Sequence, residues 1–372
     1  MLNAMYNPKE HRNYKFRIYP TKTQLETLTR WLSLCRIYYN SALADRKNHY
    51  HRNKSSLTRT KQQTTLKVDK GKHPELKEVH SQVLQEVLFR VEKAYQAFFR
   101  RVKAGEKPGY PRFKGENQYN SLTYTQFGEG LGAYFKEGKL SLSKIGLVKI
   151  KLHREIPGEV KTCIIKKEPA GKWYAVLSVE EYPVLYSPNR KKTGLDVGIE
   201  KLATLSDGEK IPNPKHILKS EKKLKRVQRD LSRKKKGSKN RAKARLKLAK
   251  VHEKIRHQRH DYLHKVSSYL VWKYGKVVVE DLKIQNMLKN HHLAKSIADA
   301  GWGYLFSMLS YKAESAGREY ERVVAHGSSQ ECSRCGAVVK KDLAQRVHRC
   351  PHCGLVLDRD HNAALVLEKR AS

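Results

Sequence analysis

The chain has 372 residues, 39% of them hydrophobic, enough for two or three domains with real cores. Its 77 Lys and Arg against 36 Asp and Glu leave a formal net charge of +41. That excess excludes an ordinary solvated surface and asks for a polyanion, for which nucleic acid is the natural choice because neutralised phosphates release counterions. A membrane is set aside: no apolar run approaches the ~18 residues of a spanning helix, and no signal-peptide core follows the N-terminus.

Residues 12–19 (RNYKFRIY) alternate polar and apolar as a half-buried strand does. Pro20 ends the strand, and Thr23 opens a helix with Leu25, Leu28, Leu32 and Cys35 at helical spacing. Residues 51–73 are polar and basic without a period and read as a loop. His80 to Val102 is an amphipathic helix with Val83, Leu84, Val87, Leu88, Val91, Tyr95 and Phe98 on one face. From KPGYPRFKG (107–115) to about residue 182 the texture is short strands and Gly turns: SLTYTQF, GAYF, KLSL, LVKIKL, KTCIIKKE and WYAVLSVE. The lone strand at 12–19 could pair with this set, which would make 20–105 a helical insertion in a β domain.

Residues 183–193 form a linker, and 193–208 (TGLDVGIEKLATLSDG) a β-hairpin with Asp196 on its first strand. Residues 219–260 hold 19 Lys and Arg against three acids, and the spacing of Leu224, Val227 and Leu231, then Leu246, Leu248, Val251 and Ile255, predicts two helices parted by KKKGSKN. The second helix continues to Trp272. KVVVEDL then reads as a buried strand, 302–316 as a helix and YERVVAH (320–326) as a strand.

Cys332, Cys335, Cys350 and Cys353 form two CxxC knuckles, each followed by Gly. Four thiolates so spaced surround one tetrahedral ion, most naturally zinc, and leave no open position, so this metal is structural. Two redox dithiols would not need paired glycines. Cys35 and Cys163 sit in apolar stretches and read as small buried residues. The cysteine usage fits a reducing cytosol.

Three segments bring a carboxylate beside apolar residues: Asp196 in GLDVG, Glu280 after VVV, and Asp358 and Asp360 in LDRDHNAA. Taken singly, Asp196 could be a turn residue and one of the last two an N-cap. A carboxylate continuing the buried run at Glu280 is harder to explain so, because buried charge is costly unless paired or metal-bound. Asp281 should face the other way and cap a helix. Together, on so basic a chain, three acids suit a two-metal phosphodiesterase, whose divalent ions need oxygen ligands.

The order GLDVG, VVVEDL, CxxC, CxxCG, DRDHNAA resembles the TnpB family, the RNA-guided nucleases of insertion sequences and relatives of compact type V CRISPR effectors. FRIYPTKTQLETL, CRIYYNSAL and KPGYPRFK extend the likeness more loosely into the N-terminal half. The resemblance implies an α+β multidomain fold. A β-barrel wedge domain (1–19 and 106–190) would carry an inserted helical recognition lobe (20–105). A RuvC/ribonuclease-H-like α/β nuclease domain (191–330 and 355–372) would carry an inserted zinc ribbon (331–354).

It further implies Asp196, Glu280 and Asp360 as ligands of two Mg²⁺ ions, with Asp358 as the N-cap. Asp196 would bridge the ions while one activates water and the other stabilises the leaving 3′ oxygen. The implied partners are a guide RNA and target double-stranded DNA, bound by a monomer in the prokaryotic cytoplasm near the nucleoid. Guide pairing would read sequence while the protein reads a short adjacent motif. Tyr39, Ser81 and Gln85 are the candidates for motif reading, since Gln can contact adenine bidentately. Lys222, Lys223, Arg226, Arg229, Arg233, Lys234, Lys235, Lys236 and Arg241 are the candidates for RNA or heteroduplex phosphates. Tyr110, Phe113 and Tyr186 could stack on unpaired bases or belong to a core. A guided regulator that binds without cutting would lack one acid, and none is missing. A transposase would need a recombinase nucleophile, of which there is no pattern. An unguided junction resolvase would not co-purify with RNA.

Overall fold

The computed structural model describes residues 9–324, 327–342 and 345–371. They form two compact units, divided between Tyr182 and Pro183.

In the N-terminal unit, β1 (Glu10–Tyr19) buries Tyr14, Phe16 and Ile18, the alternate positions that its sequence marks as apolar. It is followed by three helices: α1 (Lys22–Asn53), α2 (Arg59–Lys72) and α3 (Ser81–Lys103). Six strands follow: β2 (Ser121–Tyr124), β3 (Ala133–Lys136), β4 (Lys139–Leu142), β5 (Gly146–Lys151), β6 (Glu159–Lys167) and β7 (Trp173–Glu181). All seven strands make one antiparallel sheet in the order β2-β6-β7-β1-β5-β4-β3. Strand β1 lies between β7 and β5, its neighbours from over a hundred residues later, and the helices fall in the intervening chain. One core joins the sheet's Phe16, Ile18, Leu122 and Leu177 to Trp31 and Leu28 of α1 and to the Val83, Leu84, Val87, Leu88 and Val91 stripe of α3.

Two readings of this unit are corrected. Helix α1 starts earlier than expected: Thr21, two residues before Thr23, is the N-cap, and it forms a capping box with Gln24. Leu25 is consequently off the core face and exposed. Residues 59–72, read as loop, are α2, capped by Thr58. Its buried positions are Gln62 and Leu66, so it has no apolar stripe to detect. Gln62 donates from Nε2 to the Ala42 carbonyl (2.9 Å) and accepts from Arg46 Nε (2.7 Å), a polar anchor where a periodic reading looks for an aliphatic one.

The C-terminal unit is built on a mixed sheet. Its strands are β8 (Lys192–Val197), β9 (Lys201–Leu205), β10 (Lys210–Pro212), β11 (Lys276–Glu280) and β12 (Glu319–Val323), in the order β10-β9-β8-β11-β12. β8, β11 and β12 run parallel, and β9 and β10 antiparallel to their neighbours. Between β10 and β11 stand α4 (His216–Ser232) and α5 (Lys239–Lys273), the two basic helices. Helices α6 (Ile284–Met287), α7 (Ala294–Ala300) and α8 (Trp302–Ser315) precede β12. A two-stranded ribbon, β13 (Val347–Arg349) and β14 (Val356–Asp358), leads into α9 (Arg359–Arg370). Of the strand expected over 320–326, Ala325 and His326 lie outside the described residues. Among the described residues no helix is long and apolar enough to cross a membrane.

Helix α9 is seated directly on β8. A Cβ on Gly194 would sit 1.9 Å from the Ala364 carbonyl oxygen and 2.7 Å from the Glu368 nitrogen, both backbone atoms that cannot swing aside. Gly194→Ala should therefore force the helix off the strand and cost about 3 kcal/mol in urea unfolding of the full chain. An unchanged midpoint would show that α9 is not seated there.

Candidate functional site

Three acids meet where β8, β11 and α9 end or begin. β8 and β11 are parallel and in register, with Leu195 beside Val279. Asp196 and Glu280 are the next residue on each strand, so they lie side by side and point to the same side of the sheet. The run TGL–D and VVV–E is apolar up to that level because both strands are central and covered on both faces. Asp360 arrives from the first turn of α9, where Asp358 is the N-cap and accepts from the amides of Asp360 (3.0 Å) and His361 (3.1 Å). The division of labour expected for the D-R-D pair thus holds for Asp358.

Burial pushes the Asp196 carboxyl well above the usual carboxylate range, and the neighbouring charges of Glu280 and Asp360 push it the same way. Arg359 opposes this only in part. Burial also raises Glu280, against a hydrogen bond from Ser328 and the charge of Arg370. Two carboxyls raised by burial, one of them beside two further acids, form an arrangement that a bound cation would relieve. Among the described residues, the four cysteines alone bring three or more ligand atoms within 4.8 Å of one another. The three carboxylates stand wider, and two of them have tethers of their own. Ser328 Oγ donates to Glu280 Oε1 (2.5 Å), and Arg359 donates through Nε (3.1 Å) and Nη2 (3.0 Å) to Asp360 Oδ1. Asp281 caps no helix; it pairs instead with Lys283 (2.8 Å) and, at 3.8 Å, with Arg322.

Neither Ser328 nor Arg359 is visible as a functional residue in the sequence, since HGSSQ reads as a polar loop and Arg359 as one basic residue among many. Ser328 is buried, and its hydroxyl favours the ionised form of Glu280. Ser328→Ala should lower cleavage 10- to 100-fold and move the acid limb of the rate–pH profile upward, as the carboxylate loses its donor. A loss of rate with an unmoved profile would reduce Ser328 to a packing role.

The metal ribbon is well formed. Cys332 and Cys353 sulfurs lie 3.5 Å apart, Cys335 and Cys350 3.6 Å apart. Gly336 (φ 77°) and Gly354 (φ 72°) take the left-handed turns that let each knuckle fold its amides inward. Burial alone would raise the Cys332 thiol, but the amides of Cys335 and Arg334 outweigh it and bring it down to about 7. Cys350 reaches about 7 in the same way, through the amides of Cys353 and His352. Cys332 and Cys350 are thus prepared as thiolates, their neighbouring sulfurs push Cys353 up to about 12, and the four-sulfur donor set fits one tetrahedral zinc. Cys35 and Cys163 are buried apart, and burial pushes the Cys35 thiol up to about 12.

The ribbon is also tied to α9. Asn362, fully buried, accepts from the Ser333 amide (2.9 Å) and donates to the Glu331 carbonyl (2.7 Å). Arg370 Nη2 pairs with Glu331 (2.6 Å).

Of the residues expected at nucleic acid, Ser81 and Gln85 are exposed on α3, with Ser81 Oγ accepting from Lys70 (2.8 Å). Tyr39 is corrected: it is 3% exposed and its ring packs 6.4 Å from that of Tyr119, out of reach of a base edge. On α4 and the loop that follows it, Lys222, Lys223, Arg226, Arg229, Arg233, Lys235 and Lys236 are exposed. Four of them, Lys222, Arg226, Arg229 and Arg233, share a groove of about 890 Å³ with Lys247. Lys234 is half-buried and paired with Asp230 (3.3 Å). Arg241 is half-buried, and its Nη1 donates to the Leu231 (3.0 Å) and Lys234 (2.7 Å) carbonyls and so closes the end of α4.

Comparison with known proteins reaches the same place. A Streptomyces pristinaespiralis protein named "Putative RNA-guided DNA endonuclease" is 38% identical over 364 residues, which cover 95% of this chain and 87% of that protein. The chain belongs to the TnpB family. "Putative RNA-guided DNA endonuclease InsQ" of Escherichia coli is 32% identical over 94% of this chain and 90% of its own length. A family model described as "Probable transposase" matches residues 177–291, and one described as "Cas12f1-like, TNB domain" matches 302–367, the stretch that holds the ribbon and α9. A third, "Helix-turn-helix domain", matches 10–55, yet those residues are one strand and one unbroken helix of 32 residues.

Among solved structures, the fold resembles the protein of a Cas12f1–sgRNA–target DNA complex. The TM-score is 0.62 at 12% identity, covering 97% of this chain and 99% of that one. It also resembles the mini-RNA-guided endonuclease CRISPR-Cas phi3. There the TM-score is 0.54 at 9% identity, covering 98% of this chain and 92% of that one. Both likenesses concern fold.

Proposed function

We propose that this chain is an RNA-guided DNA endonuclease that hydrolyses phosphodiester bonds with divalent-metal help. The observation that carries the reading is the meeting of Asp196, Glu280 and Asp360 at one end of the C-terminal sheet, in a chain alike along nearly its whole length to proteins named for that activity. The carboxylates would hold two Mg²⁺ ions; spacing too wide for one compact ion cluster suits a pair, which sit about 3.5–4 Å apart. When bound, such ions supply an activated water and stabilise the leaving 3′ oxygen. Asp196, whose carboxyl feels the charges of both Glu280 and Asp360, would hold the ions together with them. Ser328 aims Glu280, and the Arg359 fork holds Asp360 by its Oδ1, with Arg346 3.9 Å from Oδ2. Cys332, Cys335, Cys350 and Cys353 would hold one structural zinc.

The guide RNA and double-stranded target are the partners. The α4 groove supports the phosphate contacts, and Ser81 and Gln85 remain the candidates for reading the adjacent motif. The wedge (1–19, 106–190), recognition (20–105), nuclease (191–330, 355–372) and ribbon (331–354) assignments follow the same reading, as does a single copy of the chain per guide in the prokaryotic cytoplasm near the nucleoid. The test is to sequence the RNA that co-purifies with the chain and then to offer a plasmid carrying the matching sequence. Cleavage that needs both the RNA and Mg²⁺ is the expected result. Cleavage that survives ribonuclease treatment would overturn the guided reading.

A further inference from the structure

The N-terminal unit holds a cavity of about 480 Å³ that the endonuclease reading leaves without a role. Its walls come from the C-terminal ends of α1 and α3 and from the KPGYPRFK segment, and they are aromatic: Tyr50, Tyr95, Phe98, Phe99 and Tyr110. Three of these rings are well exposed, Tyr50 and Phe99 at 56% and Tyr110 at 44%. The alternative that Tyr110 is core is thereby removed. The rings are held rather than loose. Tyr110 meets Phe98 edge-on at 5.3 Å and Tyr95 at 5.8 Å, and the Tyr95 and Tyr110 hydroxyls share a 3.0 Å hydrogen bond. Tyr95 and Phe99 stack at 6.2 Å. Rigid, open ring faces in a cavity of ligand size make a stacking platform.

Charge says what stacks there. The last turns of both helices bring His51 and Arg52, then Arg100, Arg101 and Lys103, with Lys54 as the cap of α1. Lys47 Nζ stands 5.7 Å from the Tyr110 ring and 5.4 Å from that of Phe113. The acid in the wall, Glu92, is already matched by Arg46 (2.7 Å). Arg46 itself is buried, and its guanidinium lies 5.5 Å from the centre of the Tyr95 ring, helping to hold that ring in place. A basic rim suits a phosphate backbone, which an apolar peptide would not need.

We propose that this cavity receives an unpaired nucleobase of single-stranded nucleic acid, stacked on Phe99 and Tyr110 with its phosphates on the rim. The proposal rests on the nucleic-acid reading above but stands or falls apart from cleavage. Because every base has a π face, binding is tolerant of sequence.

The test uses the purified, zinc-loaded full chain and short single strands carrying one 4-thiouridine (RNA) or one 4-thiothymidine (DNA), cross-linked by near-ultraviolet light. Cross-links within residues 95–110 are expected, and the arm that gives them tells which strand the cavity takes. The double variant Phe99→Leu, Tyr110→Leu should weaken single-strand binding about tenfold, whereas Phe99→Tyr, Tyr110→Phe should keep it. Two results would overturn the proposal. One is a parent protein with no cross-link in that segment in either arm, as an apolar peptide pocket would give. The other is a folded Leu pair that binds single strands as tightly as the parent. If the Leu pair does not fold, the parent's cross-link map decides. Guide-directed cleavage alongside a failed cross-link overturns the cavity alone; cross-links here with no cleavage by the parent chain overturn the endonuclease reading alone.

Discussion

Asp196→Asn is expected to reduce cleavage of guide-matched DNA about a thousandfold or more while leaving RNA co-purification unchanged. Asn keeps the shape of the side chain and removes the charge. A divalent ion contributes several kcal/mol of charge stabilisation at a phosphodiester, and each 1.36 kcal/mol is tenfold in rate. Asp196 is chosen over Glu280 or Asp360 because its carboxyl is the one that feels the charges of both the others. The same substitution should make the fold more stable. Burial and two neighbouring carboxylates raise the folded-state pKa of Asp196 above its unfolded value, so the folded chain holds the extra proton. The penalty for ionising it is absent below the ordinary carboxylate range and appears as pH rises through the folded value. In magnesium-free buffer with zinc retained, the Asn variant should therefore melt higher than the parent at neutral pH, by about 2–4 °C per kcal/mol relieved. The gain should vanish in acid. A variant that still cleaves at the parental rate would remove Asp196 from the site, and one that melts lower at neutral pH would show that the acid is not a burdened charge.

What the sequence made legible here was whatever a period or a spacing encodes. Strand β1 announces itself by alternation, the six later strands by short apolar runs between Gly turns, and α3 by its Val and Leu stripe. The knuckles are legible because four sulfurs can surround an ion only at such spacings. Glu280 is legible because a carboxylate after three buried valines has to be compensated. What escaped was held by single polar contacts with no period. Helix α2 hangs on Gln62 and the Thr58 cap, Ser328 reaches Glu280 across 48 residues of sequence, and Arg241 spends its charge on carbonyls ten and seven residues back. Tyr39 shows the converse error. A tyrosine in a basic, aromatic helix looks available for nucleic acid, but the four-residue spacing of Trp31, Cys35 and Tyr39 carries it into the core.

Zinc removal should disable the nuclease centre even though no cysteine belongs to it. The ribbon has little core of its own: Val338, Val347 and Val356 are exposed, so its fold depends on the ion. Binding of structural zinc in small peptides is worth about 10–16 kcal/mol and is folding energy in such a module. The ribbon in turn holds two of the three acids in place. The loop entering the first knuckle carries Ser328, which aims Glu280. The knuckle's own Glu331 and Ser333 clasp Asn362 and Arg370 of α9, the helix that delivers Asp360. Cys350→Ser, or stripping the metal with a chelator before adding Mg²⁺, should lower cleavage at least 100-fold. Excess Mg²⁺ should not rescue it, and re-added zinc should rescue the stripped parent but not the variant. In the stripped parent a thiol reagent should count the four ribbon cysteines while Cys35 and Cys163, both buried elsewhere, stay silent. Protein shown by mass spectrometry to be free of zinc yet cutting at the full rate would separate the ribbon from the acids and leave the clasp on α9 without a catalytic purpose.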